Sequence, residues 1–498
     1  MNVNPITRLD YPDPDVIRVE DTYYMVSTTM HFMPGCEILQ SFDLVHWEHV
    51  TYVYETLDHT DAQQLKSGQN IYGQGMWAAS LRYHEGRFYI CFVANDTRKT
   101  YLYNSEKIDG PWKKQLIEGF YHDGSLLFDE DGRNYIVYGN DEIWITELNE
   151  DLTAPKKDGL HRLLVSDHKN PELGYEGSHI QKINGYYYIF LVHSLRDRWM
   201  RTEACFYSDS LEGEFTGGDV LCDDRGYCGQ GVAQGGIVDT PDGKWYAMLF
   251  QDSGAVGRIP ILLPVTWKDH FPFFGQNGHV PEEIEVHSTR PGYIYQPLVG
   301  SDDFCNGLLP RWQFNHDPDP RYYHLDALQG TYTITTREVC TELTQAVNTL
   351  TQRMSYPSCA AEVTVDASAL KEGDVAGLCA LQSCYAAVGI TKHHGKYEVL
   401  MLDKKEDGIL DMTEGTVVES HQMDFRLEAD FCNMKDEARC YYRVNKGDWL
   451  PIGTVHKLYF KLDHFTGCRF GLFCYAAEET GGSACFRDFK YYDVDEIS

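Results

Sequence analysis

IQKINGYYYIFLV, Ile180–Val192, reads as an apolar strand, a two-residue Asn-Gly turn and a second apolar strand entered through aromatics. Asn-Gly suits a tight hairpin because both central residues of such a turn take positive φ. The design recurs as VIRVEDTYYMVS, LRYHEGRFYICFV, LLFDEDGRNYIVYG and IVDTPDGKWYAMLF. In each copy the turn is followed by one residue and then an aromatic pair or near-pair, whose second members are Tyr24, Tyr89, Tyr135, Tyr188 and Tyr246. These anchors are 65, 46, 53 and 58 residues apart. Such intervals hold a hairpin and two further strands, so residues 1–297 are expected to form a five-bladed β-propeller. A β-sandwich with several similar hairpins is the rival, but it does not explain why spacing is kept along with letters.

The spacing also selects side chains. Nine residues before the turn glycine stand Trp77, Asp123, Glu176 and Gln234, in the second to fifth copies. Innermost strands of a propeller face its central channel, so equivalent positions near their starts converge near the axis. An aromatic, two carboxyls and an amide supply what a sugar site needs: one apolar face for stacking and several groups that orient hydroxyls. The first copy has Asp21 where the others have glycine, and Asp13 lies eight residues before it. An offset of eight turns a strand residue to the opposite face unless the backbone bends, and Pro12 and Pro14 flank Asp13 to supply that bend. Asp10 and Asp15 read as turn and surface residues. Phe32, in the HFMPG segment just past the first hairpin, is a candidate for the pocket lining.

Composition narrows the chemistry. The 498 residues carry 75 Asp plus Glu against 43 Lys plus Arg, a net charge of −32 with no basic block. That disfavours nucleic acid and anionic membrane surfaces and favours a neutral or cationic small molecule. The amino terminus has neither a basic nor an apolar segment, and the fifteen cysteines follow no metal-ligand spacing, which together suggest reduced thiols and a cytoplasmic protein. Without HExxH, a P-loop or a Gly-x-Ser-x-Gly elbow, three converging acids point to acid/base hydrolysis of an acetal. That reaction takes one protonated carboxyl at the leaving oxygen and one carboxylate across the sugar, roughly 6.5–9.5 Å away when it activates water and roughly 5–5.5 Å away when it attacks directly. Different blades suit the wider separation.

NPITRLDYPDPDVIRV, HDGSLLFDEDGR, YEGSHIQKINGYYYIF and GRIPILLPVTW resemble glycoside hydrolase family 43, in its β-xylosidase and α-L-arabinofuranosidase branch. The resemblance implies Asp13 as general base, Asp123 as the residue that tunes and orients the acid, Glu176 as general acid, and Arg258 as support for the ionised site. Trp77, Phe32, Arg258 and Gln234 would then bind substrate. The motif reads EGS where EGP is commoner, and Gln234 stands where many members carry a metal-holding histidine. No cofactor is expected to be required; a structural calcium remains open, on the axis or at Asp303 and Asp488. The implied activity is inverting, exo-acting removal of terminal α-L-arabinofuranosyl or β-D-xylosyl units from hemicellulose oligosaccharides. An endo-acting arabinanase and a non-catalytic sugar-binding propeller are the alternatives.

PGYIYQPLVGSDDF marks a boundary by its Gly and Pro content. Beyond it, CAAEVTVDA, KYEVLML, CRFGLFCYA and CFRDFKYYDV alternate as strands, so residues 298–498 are expected to form a jelly-roll, concanavalin-like β-sandwich. REVCTELTQAVNTLTQRM is expected to be strand and loop, because its threonines are β-branched. The sandwich should pack on the propeller and wall one side of the pocket. A homo-oligomer is open.

Overall fold

The computed structural model describes residues 2–461 and 464–493. It is all-β: five four-stranded antiparallel sheets followed by a two-sheet sandwich. Blades 2 to 5 each use four consecutive strands, and blade 1 does so apart from one short strand that leaves it, so each is a meander built from local connections. Blade 1 comprises Asp15–Val19, Thr22–Val26, Gly35–Ser41 and Glu48–Tyr54. The innermost strands of the other blades are Met76–His84, Ser125–Phe128, Glu176–Ile183 and Val232–Asp239. All five repeat anchors lie on second strands, next to the innermost ones. Tyr135 and Tyr188 are fully buried between blades, where aromatic and β-branched side chains fill the wedge.

The innermost strands do not run at one register. Blades 2, 4 and 5 each carry an irregularity near the start of that strand, at Met76/Ala79, Glu176/His179 and Ala233/Gly236. Hairpin loops also differ, with His84 paired directly to Arg87 but Phe128 to Asn134 and Asp239 to Trp245. The bulges absorb these differences, which is how one sequence offset reaches the same end of the channel by unlike paths.

Asp10 and Asp15 are not surface residues, contrary to their reading as turn chemistry; both are buried. Asp15 accepts hydrogen bonds from the Leu81 N–H, from Arg82 Nη1 at 2.8 Å and from His179 Nδ1 at 3.1 Å. Burial works to raise its pKa, but Arg82 and His179 outweigh it and hold the carboxyl below the ordinary range. Arg82 also donates to Leu126 O, Ser125 Oγ and Ile180 O. One guanidinium thus ties blades 1 to 4 together.

The sandwich packs a seven-stranded sheet against a nine-stranded one. The larger sheet includes the short strand Phe32–Met33 from blade 1, paired with Phe314 and Asn315. Phe32 is therefore buried between domains under the Arg469 guanidinium, 3.5 Å above its ring, and does not line the pocket. The segment 337–354 contains a single 3-10 turn, Leu343–Gln345, and the strand Leu350–Arg353, in keeping with its threonine content. Asp303 spends one oxygen on the N–H of Cys305.

Candidate active site

At one end of the channel lies a cavity of about 280 Å³ lined by residues from all five blades and one from the sandwich. Asp13, Trp77, Asp123, Glu176, Gln234 and Arg258 all border it. Three of them hold backbone conformations unusual for side-chain-bearing residues: φ is +53° at Asp13, +48° at Asp123 and +63° at Gln234. The left-handed turn is the bend that Asp13 needed at its offset of eight, and non-glycine residues in this region concentrate at functional sites.

Asp13 accepts from Arg258 Nη1 at 2.6 Å and from the Thr28 hydroxyl. Arg258 is in turn held by Asp252, whose other oxygen takes Arg201 Nε at 3.0 Å. Across the pocket, Asp123 accepts the N–H of Gly177 at 2.9 Å and so fixes the strand start that carries Glu176. Gly177 must be glycine: its φ is +66°, and a Cβ there would meet the Gln234 side chain at 2.7 Å. Glu176 accepts the Asn140 amide at 2.7 Å and lies 3.5 Å from His122 Nε2, which is 3.6 Å from Asp123.

These groups share protons. Burial opposes a charge on His122, but Asp123, Glu176 and Asp13 push its pKa up to about 9. Burial pushes Asp123 up to about 6; His122 opposes this, and the Glu176 and Asp13 charges add to it. Glu176 is driven upward by burial, yet the His122 imidazole 3.5 Å away, with Arg201 and Arg258, brings it below the ordinary range. These opposite shifts leave the proton of the His122–Glu176 pair on His122 at neutral pH, 3.5 Å from the Glu176 carboxylate, and couple the two titrations. The ligand atoms of His122, Asp123 and Glu176 lie within 4.8 Å of one another, so a cation would find three ligands here among the described residues.

The sequence offset did not reach His122, Asn140, Trp199, Arg201 or Phe465. His122 sits beside Asp123 inside a motif already singled out. Asn140 ends the second strand of blade 3, Arg201 begins the third strand of blade 4 and Trp199 lies in the loop before it, all at the connections opposite the repeated turns, where the repeat carries no signal. Phe465 comes from the sandwich, stacking 3.8 Å over the Arg258 guanidinium and edge-on to Trp77.

A buried acid/base cluster in a walled pocket at the end of a propeller channel defines a hydrolase of the glycosidase class. Residues 3–272 match the model for "Glycosyl hydrolases family 43", and residues 301–492 match "Beta xylosidase C-terminal Concanavalin A-like domain". The chain belongs to glycoside hydrolase family 43. It is 26% identical to a beta-xylosidase of Formosa agariphila over 99% of this chain and 89% of that one. It is 25% identical to the xylosidase/arabinosidase 43B of Humicola insolens over 98% and 96% of the two chains. Among solved structures, a bifunctional GH43-CE protein of Bacteroides eggerthii superposes with a TM-score of 0.91 at 41% identity, over all of this chain and 64% of that longer one.

Proposed function

We propose that the protein is an inverting exo-glycosidase that removes terminal α-L-arabinofuranosyl or β-D-xylosyl units from hemicellulose oligosaccharides. The observation that carries this reading is a pocket walled by Phe465 and lined by carboxyls from different blades, Asp13, Asp123 and Glu176. Its cavity is smaller than the range typical of drug-sized ligands, which suits one terminal sugar. The names borne by the relatives supply the two candidate sugars.

Asp13, oriented by Arg258 and Thr28, draws a proton from the attacking water. Glu176 gives its proton to the departing glycosidic oxygen, with His122 as the neighbour from which it is drawn. Asp123 holds Gly177, and thereby Glu176, in place; once ionised, its negative charge favours retention of the pair's proton. An endo-acting arabinanase needs an open groove, which Phe465 obstructs, and a binding module has no use for this proton-sharing cluster. The fifteen unpaired thiols favour a reducing compartment.

Side-by-side hydrolysis of nitrophenyl β-D-xyloside and α-L-arabinofuranoside, with proton NMR of the first-formed sugar, tests the reading. Turnover with inverted anomeric configuration is expected. Retention would make Asp13 a nucleophile, and no turnover with oligosaccharide binding intact would leave a binding module.

A further inference from the structure

We propose that Arg201 is a second substrate-reading guanidinium, which donates from the pocket lining to a hydroxyl of the terminal sugar; the assignment rests on the pentosidase reading above. Arg201 opens the third strand of blade 4, Arg201–Ser208, and is 2% exposed. Its Nε is committed to Asp252 Oδ2, while its Nη1 is buried without a hydrogen-bond partner. It borders the cavity with Trp199, whose ring lies 5.3 Å from the guanidinium carbon.

The comparison with Arg258 gives this its meaning. Asp252 grips the Nε of each arginine, one on either oxygen, and both guanidinium groups border the pocket. Arg258 spends Nη1 on Asp13, whereas the matching nitrogen of Arg201 meets nothing. A buried charged donor left unpaired is costly, so a site that keeps one is built around a partner that arrives with the ligand. Trp77 Nε1, in blade 2, is a second buried donor without a partner on the pocket wall. Two buried donors without a partner thus belong to residues that border the pocket, and an oxygen acceptor that arrives with the ligand would satisfy them.

Charge decides which kind. Asp13 and Asp252 offset Arg258 and Arg201, two acids against two bases, so no excess positive charge remains in this quartet to draw a carboxylate. A neutral hydroxyl fits; a uronic acid does not.

The test uses calorimetric binding of D-xylose, L-arabinose, their single-deoxy analogues and D-glucuronate to the full chain, in the wild type, Arg201→Met and Arg201→Lys. In the wild type one deoxy position should weaken binding by about tenfold or more. Arg201→Met should erase the discrimination at that position alone, and Arg201→Lys should restore part of it; if Arg201→Met fails to fold, Arg201→Lys carries the comparison with a reduced discrimination. A uniform weakening of every sugar in both variants would mark a structural role and overturn the assignment. Glucuronate binding more tightly than the neutral sugars, and losing that advantage in the variants, would overturn the neutral acceptor. No pentose binding by the wild type would overturn the pentosidase reading and this assignment together, whereas binding with unchanged discrimination overturns this assignment only.

Discussion

The proton shared by His122 and Glu176 separates the roles of individual residues. Glu176→Gln removes the group that protonates the leaving oxygen, so natural glycosides should lose about 10²–10⁴-fold in kcat, while a dinitrophenyl glycoside, whose phenolate departs unaided, should lose far less. Equal losses on both would take Glu176 out of the acid role. His122→Asn should act on the pH profile instead. In the wild type the alkaline limb of kcat/KM reports the pair, with an upper bound near the value of about 9 to which His122 is pushed. Without the imidazole, Glu176 must hold the proton alone, and the limb should move to lower pH by about one unit or more; an unmoved limb would show that the pair does not supply the proton. The three acids were legible in the sequence because each opens an innermost strand at a nearly fixed distance from its turn. His122 was not, since adjacency to Asp123 reveals nothing about a side chain that turns toward Glu176 in the next blade.

At the scale of the strand, the pocket depends on a neutral acid beneath it. Glu203, fully buried on the third strand of blade 4, accepts the N–H of Gln234 and so holds the left-handed turn at the start of blade 5. Burial lifts its pKa well above the ordinary 4.5 despite that hydrogen bond, so the folded chain keeps a proton that the unfolded chain releases. Stability from that proton is complete below about 4.5 and is eroded as pH rises, by about 1.4 kcal/mol per unit until the folded-state value is reached. Glu203→Gln keeps the shape without the proton. Its Tm should exceed that of the wild type by a margin that widens from pH 5 to pH 8, with activity changed only a few-fold. A margin independent of pH would mean that Glu203 is ionised in the folded protein. Blade order and hairpins could be read from the repeat, but not this strand: Glu203 sits in RTEACFYS, a run of mixed polarity with nothing in the letters to distinguish it from an exposed strand acid. Asp10 and Asp15 were misread for a related reason, because aspartates close to prolines usually signal solvent-exposed turns, and only the folded chain brings Arg82, Arg258 and Gly467 to them.

At the scale of the whole molecule, the sandwich completes the propeller. Ala255, Val256 and Ile259 of blade 5 belong to the same apolar core as Phe470 and Leu472 of the sandwich, and Phe32–Met33 extends its larger sheet. Buried polar ties follow the same seam: Asp10 accepts from the Gly467 N–H, Arg353 pairs with Glu37 at 2.8 Å, and Asp436 accepts from the Ala255 N–H. Cutting the chain after residue 297 would expose that core to water and take Arg353 away from Glu37. Residues 1–297 alone should therefore fail to fold stably, and the intact chain should melt in one calorimetric transition. A soluble, cooperatively folded fragment would contradict this. Phe465→Ala tests the catalytic part of the partnership without cutting the chain. Its ring covers Arg258 and meets Trp77, so its loss admits water to the Arg258–Asp13 pair while leaving the domain seam in place. Activity should fall by about ten- to a hundredfold with Tm lowered by only a few degrees; a large drop in Tm with kcat/KM preserved at low temperature would make Phe465 a packing residue and leave the pocket complete without the sandwich.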